Sequence, residues 1–266
     1  HFHNHKLSCP IGTHWANSQN CFACLERGGA KNVLKHKCKD NLIARFAYYV
    51  NYVIDNFAFS HFNRALKPLV LTRWYQKFLK KQKGFDSLVL YNTVSEDICE
   101  YRHDEPNEFS FVYIGRDSKS KGYSDFLEAA IAFPDIQFVS VGPKRQIDLD
   151  NLKEYGWMPR EETYRILGRS SCLIAPYRGL ETFGMTVLES VALGVPVITT
   201  NIYSVHEVFS HMKGVYIYSG EESLIDYVRQ RLQDLRDFGR RESWLEFDRV
   251  NRPNALRDSL LRLWKI

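Results

Sequence analysis

Short apolar runs alternate with amphipathic segments through the second half of the chain. The runs predict strands over residues 109–114, 136–141, 171–175, 195–199 and 214–218, with a shorter extended segment over 152–158. The amphipathic segments predict helices over residues 123–133, 161–168, 183–193 and 222–238. This order predicts an α/β fold with a doubly wound parallel sheet, whose ligands bind at the carboxyl ends of the strands.

The part of the chain before residue 95 is patterned differently. Residues 41–66 carry apolar side chains at three- and four-residue steps, which predicts a long helix. We expect its apolar face to lie in a core with an aromatic flank; the alternative is an interfacial surface that meets lipid or a lipid-linked acceptor. Strands are predicted over residues 68–72 and 88–91, on either side of a basic helix that Gly84 ends.

These patterns predict four segments. Residues 1–94 form a partial first domain with a cysteine-rich loop, and the polar stretch 95–107 is a linker. Residues 108–250 form the second domain, and residues 251–266 hold a short carboxyl-terminal helix that packs back. The chain begins at His1 rather than at a methionine, so we expect it to be a fragment or a processed chain.

The composition is that of a globular protein, with 44% hydrophobic and 25% charged residues. A net charge of +5 is too small to indicate a nucleic-acid partner. It suits an anionic small ligand or an anionic membrane surface equally well. No apolar run reaches the roughly 18 residues of a membrane span, and no secretory signal pattern is present. We therefore expect a cytoplasmic location, with peripheral contact at the inner face of the membrane left open.

Four of the six cysteines lie within the first 40 residues: Cys9, Cys21, Cys24 and Cys38. Four thiolates on flexible loops form the tetrahedral shell that a structural zinc ion prefers. Only one Cys-x2-Cys pair is present, and reduced, partly buried cysteines in a loop are the alternative. The sequence leaves both interpretations open.

Two glutamates frame the predicted helix that begins near Gly184. Glu181 precedes the helix and can face a ligand at its start, and Glu189 lies about two turns further on. The first-turn amides of Phe183, Gly184 and Met185 are donors at the positive end of the helix dipole, a site for an anion or for sugar oxygens. Taken alone, such a pair is more often two solvated side chains on an amphipathic helix, so its meaning depends on neighbouring motifs.

A basic loop over residues 115–122 links a predicted strand to a predicted helix. Arg116 and Lys121 place two cations at the carboxyl end of that strand, which predicts a clamp for a diphosphate. Lys119 is a geometric substitute for Lys121. A solvated basic loop is the alternative, but the position on the same sheet as Glu181 favours the functional interpretation. The Walker phosphate-binding pattern is absent.

Together these motifs resemble a known family. Gly-Arg-x4-Lys-Gly after a strand, followed by Glu-x-Phe-Gly-x4-Glu-Ser-x-Ala-x-Gly-x-Pro-Val-Ile, is similar to the carboxyl-terminal domain of the retaining GT-B glycosyltransferases of family 4, the glycosyl transferase group 1. The resemblance implies a GT-B fold with two Rossmann-like domains, the first incomplete and the second binding a nucleotide-sugar donor. The family's Gly-rich donor loop and first strands have no counterpart here, which leaves open whether this chain is active.

The resemblance also implies roles for individual residues. Arg116 and Lys121 would hold the donor diphosphate, Glu189 the ribose hydroxyls and Glu181 the transferred sugar. The segment 156–159, which contains Trp157 and Met158, would lie near the nucleobase. Aligned on Cys-Pro, His3 takes the place of the family's active-site histidine, with His5 as a competitor. The catalytic candidates are therefore His3 and Glu181. The donor-binding candidates are Gly115, Arg116, Lys121, Gly142, Trp157, Met158, Thr182, Phe183, Gly184, Met185 and Glu189.

By this resemblance we expect a hexosyltransferase of polysaccharide biosynthesis. It would move a sugar from a UDP- or GDP-type donor to a hydroxyl of a glycan or lipid-linked acceptor, with retention of configuration. Two cations and a helix start would stabilise the leaving diphosphate, so no divalent cation is required. Two other classes stay open: a GT-B-like nucleotide-sugar epimerase or hydrolase would turn over the donor without an acceptor, and a non-catalytic zinc-binding module would bind no nucleotide.

Overall fold

A computed structural model describes residues 4–25, 29–36, 38–39, 41–62, 68–106 and 108–250 of the 266-residue chain. Its internal contacts divide the chain into two units. The first contains the residues up to Asn92 together with Gly179–Phe183, and the second contains Thr93–Arg178 and the residues from Gly184 onwards. None of the described helices is both long and apolar enough to cross a membrane.

The first unit combines short loops with two longer helices and a two-stranded parallel sheet. Its elements are β1 (Trp15–Ala16), β2 (Gln19–Asn20), α1 (Asn32–Lys35), α2 (Leu42–Phe62), β3 (Leu69–Val70), α3 (Arg73–Lys83) and β4 (Leu88–Val89). The core is formed by Leu7, Val70, Tyr75 and Leu79. Helix α3 begins after Thr72, whose side chain accepts a hydrogen bond from the Tyr75 amide, and ends at Gly84 in the left-handed conformation, as predicted.

The apolar face of α2 lies on the surface of its unit, so the prediction of a core helix is wrong. Six of its large apolar residues are exposed: Leu42, Ile43, Phe46, Val53, Ile54 and Phe57. The side chain of Tyr52 is buried. Its hydroxyl donates to the carbonyl oxygen of Leu7 at 3.5 Å and accepts from the ammonium of Lys83 at 2.6 Å. Periodicity predicted the helix correctly, but the helix is anchored through a polar aromatic side chain.

The second unit is built on a six-stranded parallel sheet. Its strands are β5 (Ser110–Ile114), β6 (Gln137–Val141), β7 (Leu152–Tyr155), β8 (Cys172–Ala175), β9 (Val197–Thr200) and β10 (Val215–Tyr218). Its helices are α4 (Tyr123–Ala132), α5 (Arg160–Arg169), α6 (Met185–Ala192), α7 (Tyr203–Phe209), α8 (Leu224–Arg236) and α9 (Arg240–Val250). The order β10-β9-β8-β5-β6-β7 confirms the predicted doubly wound sheet.

Burial on both faces explains why the central strands β5 and β8 are nearly continuous apolar runs. All four residues of β8 are buried, as are the first four of β5. Phe111 on β5 lies opposite Phe138 on β6, and the two ring centroids are 5.3 Å apart. Phe126 on α4 packs edge-on against Phe138 at the same centroid distance. This aromatic core fixes the centre of the sheet and therefore the positions of the strand ends.

The polar stretch that we predicted as a linker belongs to the second unit. That unit begins at Thr93, Glu96–Tyr101 forms a 3-10 helix, and Ile98 is fully buried. A polar composition therefore marks a surface segment here rather than a free connection. Helices α7 and α9 were not predicted, and the helix expected within residues 251–266 lies outside the described residues.

Candidate functional site

The strand order places a switch point between β5 and β8. The chain leaves β5 through α4 towards β6 on one side, and leaves β8 through α6 towards β9 on the other. The two strands pair directly, with Phe111 opposite Cys172 and Val112 opposite Leu173. Connections that leave adjacent parallel strands in opposite directions open a crevice at the carboxyl ends, where ligands of such sheets bind. Several of the predicted site residues lie at this edge.

Close backbone packing holds the loop 115–122 against the end of β8. Gly122 has a φ of +73°, and a Cβ there would lie 1.9 Å from the carbonyl oxygen of Pro176. The Arg178 amide donates a hydrogen bond to the Ser120 carbonyl oxygen at 3.0 Å. A glycine is therefore required where the loop meets β8, because any side chain would separate the two segments.

Tyr177 connects the basic loop with the start of α6. The Lys121 ammonium lies 4.9 Å from the centre of the Tyr177 ring. The Tyr177 hydroxyl forms a hydrogen bond of 2.6 Å with the hydroxyl of Thr186, in the first turn of α6. Lys121 is half-buried, whereas Lys119 is exposed. The structure thus distinguishes the two lysines: Lys121 is the one tied, through Tyr177, to the helix start.

The ends of β5 and β6 approach each other through two glycines. Gly142 has a φ of +108°, and a Cβ there would lie 2.3 Å from the carbonyl oxygen of Gly115 and 3.3 Å from the Trp157 ring. Trp157 is 70% exposed, and Met158 beside it is half-buried. Arg116 follows Gly115 directly and is exposed. This arrangement puts a cation and an exposed aromatic ring along one sheet edge, a combination suited to a phosphate and to a stacked planar ring.

Helix α6 starts at the same edge. Gly184 precedes it with a φ of +96°, and Met185 is its first residue. The amide of Leu188 donates to the Gly184 carbonyl oxygen at 3.1 Å. The first turn lies at the positive end of the helix dipole, which favours an anion. The helix ends before Gly194, which has a φ of +73° as a helix-terminating glycine should.

Glu189 is anchored on the second turn of α6 by residues of α5. The Tyr164 hydroxyl donates to its Oε1 at 3.2 Å. Burial raises the pKa of Glu189, and the Tyr164 hydrogen bond and the charge of Arg160 oppose that rise. Burial and the neighbouring Glu189 raise the pKa of Tyr164, so its hydroxyl stays protonated and remains a donor. The remaining lone pairs of the carboxylate suit the hydroxyls of a diol.

Three predicted residues group with the first unit. Glu181, Thr182 and Phe183 fall in the segment Gly179–Phe183, which the contacts assign to that unit. Phe183 is buried, with its ring centroid 6.2 Å from that of Tyr91. The second unit by itself therefore contains the residues predicted to bind the diphosphate, the ribose and the base. The residues predicted to bind the sugar belong to the first unit.

Of the two histidine candidates, the structure describes His5 and not His3. His3 lies outside the described residues, which begin at residue 4. His5 is buried, and both of its ring nitrogens have no hydrogen-bond partner among the described residues. Burial, together with His14 at a ring-centroid distance of 5.3 Å, lowers the pKa of His5 to about 3. His5 is therefore enclosed within the first unit, and its ring packs against Tyr75 at a centroid distance of 4.8 Å.

The four candidate zinc ligands all lie in the first unit. Cys9 is buried, and Cys21, Cys24 and Cys38 are half-buried with free thiols. Within the described ranges, no group of three or more His, Cys, Asp or Glu side chains is arranged closely enough to hold a metal ion. Zinc binding by these four cysteines therefore stays a prediction.

Three side chains that the sequence patterns did not indicate position the predicted residues: Tyr177, Arg178 and Tyr164. Tyr177 and Arg178 directly follow β8, and polar residues at the carboxyl end of a parallel strand are a signal that points to them. The Arg178 guanidinium donates to both carboxylate oxygens of Asp125 on α4, a bidentate ion pair. Tyr164 lies in the middle of α5, and its role depends on Glu189, 25 residues away. No short-range pattern indicates it.

The chain matches one family model and two curated relatives. The family model described as "Glycosyl transferases group 1" matches residues 100–244. Phosphatidyl-myo-inositol mannosyltransferase of Propionibacterium freudenreichii subsp. shermanii is 32% identical over 110 residues, which are 39% of this chain and 29% of that protein. An uncharacterized 41.2 kDa protein in the cps region of Klebsiella pneumoniae is 30% identical over 139 residues, 46% of this chain and 38% of that protein. The match thus spans less than two fifths of either relative.

A solved structure resembles the chain more widely. Anabaena Alr3699/HepE in complex with UDP and glucose matches with a TM-score of 0.64 and 15% identity, over 84% of this chain and 67% of that one. At this identity the likeness concerns the fold. It confirms the α/β fold of GT-B type.

Proposed function

Because the chain belongs to the glycosyl transferases group 1 family, we propose that it takes part in moving a sugar from a nucleoside-diphosphate sugar to an acceptor hydroxyl. The observation that carries the proposal is the edge of the second unit, where two cations, a helix start and an anchored carboxylate lie along adjacent strand ends. Arg116 and Lys121 are assigned to the diphosphate and Glu189 to the ribose. The UDP and glucose named for the Anabaena structure support a UDP-type donor, with a GDP-type donor as the alternative.

The proposed mechanism follows from where charge develops. Cleavage of the sugar–phosphate bond leaves negative charge on the diphosphate, which Arg116, Lys121 and the start of α6 stabilise. These fixed positive charges take the place of a divalent cation. The leaving phosphate accepts the proton of the acceptor hydroxyl, which attacks from the same face and so retains the anomeric configuration. We assign Glu181, with Thr182 and Phe183 beside it, and His3 to the sugar.

Nucleotide binding is the first test. Differential scanning calorimetry with UDP, GDP and ADP should show that at least one diphosphate raises the melting temperature. Arg116→Ala and Lys121→Ala each remove a charge-assisted contact of about 1.5–3 kcal/mol, so the affinity should fall by about 10- to 100-fold. Lys119→Ala is the matched control in the same loop and should leave the affinity unchanged. A melting temperature that no diphosphate raises contradicts the proposal for this chain.

Turnover is the second test. The expected result is transfer of the donor sugar to an acceptor glycan or lipid with the anomeric configuration of the donor, measured by proton NMR of the product. Release of free sugar or a change in the sugar's stereochemistry without an acceptor indicates a hydrolase or an epimerase of the same fold instead. An inverted product refutes the same-face mechanism.

For the acceptor we propose a lipid-linked glycan at an anionic membrane surface. Residues 1–92 carry 14 lysines and arginines against 4 acidic residues, and α2 in the same unit exposes its apolar face. An exposed apolar helix face in basic surroundings is the composition of an interfacial membrane helix. The name of the mannosyltransferase relative, which refers to a phosphatidyl-inositol, supports the same acceptor class. A cytoplasmic location at the inner face of the membrane is part of this proposal.

Vesicle sedimentation tests the membrane contact. The protein should bind vesicles of phosphatidylglycerol more strongly than vesicles of phosphatidylcholine. Ile43→Glu and Ile54→Glu place a charge on the exposed face of α2 and should release the protein from the vesicles. Ile131→Glu on α4, where the native side chain is 64% exposed, is the matched control and should leave the binding to vesicles unchanged. Equal binding by all three variants refutes the role of α2.

A further inference from the structure

The cysteine-rich part of the first unit is organised around the backbone of His14. The His14 amide donates a hydrogen bond to the Sγ of Cys9 at 3.4 Å. The Cys21 amide donates to the carbonyl oxygen of His14 at 2.7 Å, and the His14 ring nitrogen Nδ1 lies 2.9 Å from the Cys21 carbonyl oxygen. Cys9 and Cys21, twelve residues apart in sequence, are thus held on the two sides of a single residue.

Three hydrogen bonds fix the segments that carry the other two cysteines. Cys24 lies in the 3-10 helix Ala23–Leu25, and the Asn32 side chain at the start of α1 donates to the Ala23 carbonyl oxygen at 2.6 Å. Cys38 follows α1. The Arg45 side chain on α2 donates to the carbonyl oxygen of Leu34 at 3.3 Å and to that of Lys39 at 2.6 Å. The segments that carry Cys24 and Cys38 are therefore each fixed to a neighbouring element.

The packing of α1 brings the segments of Cys24 and Cys38 together. Helix α1 contacts both α2 and the 3-10 helix Ala23–Leu25, which carries Cys24, and Cys38 lies three residues after the end of α1. Cys21 and Cys24 are themselves three residues apart, so the four cysteines lie on neighbouring segments. A divalent cation would offset the mutual repulsion of the four thiolates.

This part of the chain also has little apolar core of its own. The buried hydrophobic residues among those described between 4 and 39 are Leu7, Cys9, Ala16 and Val33. A segment with so few buried apolar side chains commonly depends on a bound metal or on disulfides for its stability. In the described residues the cysteines are free thiols rather than disulfides.

We propose that Cys9, Cys21, Cys24 and Cys38 bind one zinc ion as a closed, structural site. Four sulfur ligands in a tetrahedral shell are the arrangement that selects zinc over harder cations. The described side chains do not yet stand at the distances of a bound metal. Neutral thiols have no attraction that would draw them together, so binding closes the shell and releases the four thiol protons to the solvent. The site is independent of the nucleotide site in the second unit.

Metal analysis of the purified protein tests this proposal. We expect about one zinc ion per chain, retained through gel filtration and released when the thiols are modified. Cys24→Ser and Cys38→Ser should lose the zinc. Cys99→Ser, in the second unit and exposed, is the matched control and should keep it. Protein produced with cobalt in place of zinc should show the sulfur-to-cobalt charge-transfer bands and the strong visible absorption of a tetrahedral thiolate site.

Several outcomes would overturn the zinc site. They are wild-type protein without zinc, zinc that survives both cysteine substitutions, or a mass two hydrogens lower per disulfide in the non-reduced protein. If a variant is insoluble, the metal content and cobalt spectrum of the wild-type protein still decide. Nucleotide affinity is measured in parallel. A protein that binds UDP but no zinc would refute the metal site and not the proposed function. A protein that binds zinc but no nucleotide would refute the proposed function and not the metal site.

Discussion

Replacing Gly122 by alanine tests whether the packing of the basic loop positions its cations. An alanine at a φ of +73° costs about 1–2 kcal/mol because its Cβ approaches the following carbonyl. The added Cβ would also lie 1.9 Å from the Pro176 carbonyl oxygen, whereas ordinary contacts begin at 3.4 Å, so the two segments must separate by about 1.5 Å. Such overpacking costs about 1–3 kcal/mol, which gives a total of about 2–5 kcal/mol.

Thermal unfolding and nucleotide binding measure the two consequences separately. At roughly 2–4 °C per kcal/mol, Gly122→Ala should lower the melting temperature of the second unit by about 4–20 °C. The control is Gly220→Ala in the same unit, where φ is +82° and the nearest atom is a methyl carbon of Thr200 at 2.9 Å. Because the Thr200 methyl group would have to yield by only about 0.5 Å, the control should lose about 1–2 kcal/mol and little more. A loop displaced by more than an ångström should bind UDP about tenfold more weakly or worse in Gly122→Ala alone.

Equal losses of stability in the two variants would refute the role of the Pro176 backbone, which would then give way without strain. A Gly122→Ala variant that is destabilised but binds UDP as the wild type does would refute the functional part. That result would show that contact between the loop and β8 does not position Arg116 and Lys121.

Three further predictions concern single side chains and ions. Tyr164→Phe removes the donor to Glu189, about 1 kcal/mol, so calorimetry should show roughly fivefold weaker UDP binding; Tyr101→Phe, whose ring packs 5.7 Å from that of Tyr164, should change nothing. His5 has a folded pKa of about 3 against 6.5 when exposed, so its contribution to stability is present above pH 6.5 and is lost as the pH falls towards 3. A circular dichroism titration should find His5→Phe less acid-sensitive than the wild type, and equal sensitivity would contradict this. Added Mg²⁺ should leave the UDP affinity unchanged, and a clear strengthening would refute the cation-only clamp.

The sheet was predictable because its central strands β5 and β8 are buried on both faces and so leave nearly continuous apolar runs. Arg116, Lys121 and Glu189 were predicted as candidates because each lies at a short, fixed distance from a predicted strand end or helix start. The contact of Lys121 with the ring of Tyr177, more than 50 residues later, was not predictable. Contacts between distant segments leave no pattern in a local window of sequence.

The errors in the first half of the chain have a related physical cause. Apolar periodicity shows that α2 has an apolar face, but it does not show whether anything in the unit covers that face. Likewise, the many polar residues between 95 and 107 indicate solvent exposure along most of the segment. They do not reveal that Ile98 is buried, nor that the Arg102 side chain donates to Asp248 and so fixes the segment to the rest of the second unit.

The two ends of the sheet edge differ in their tolerance of change, which matters for redesign. An added Cβ at Gly156 meets no atom within 4 Å, and Trp157 beside it is 70% exposed. At Gly122 and Gly142 the same Cβ would meet backbone oxygens at 1.9 Å and 2.3 Å. A mutant library over residues 156–158 would therefore consist largely of folded proteins, whereas one over the glycines would not. Variants with an altered nucleotide preference are therefore best sought at residues 156–158, because substitutions there leave the backbone next to the proposed phosphate-binding loop unchanged.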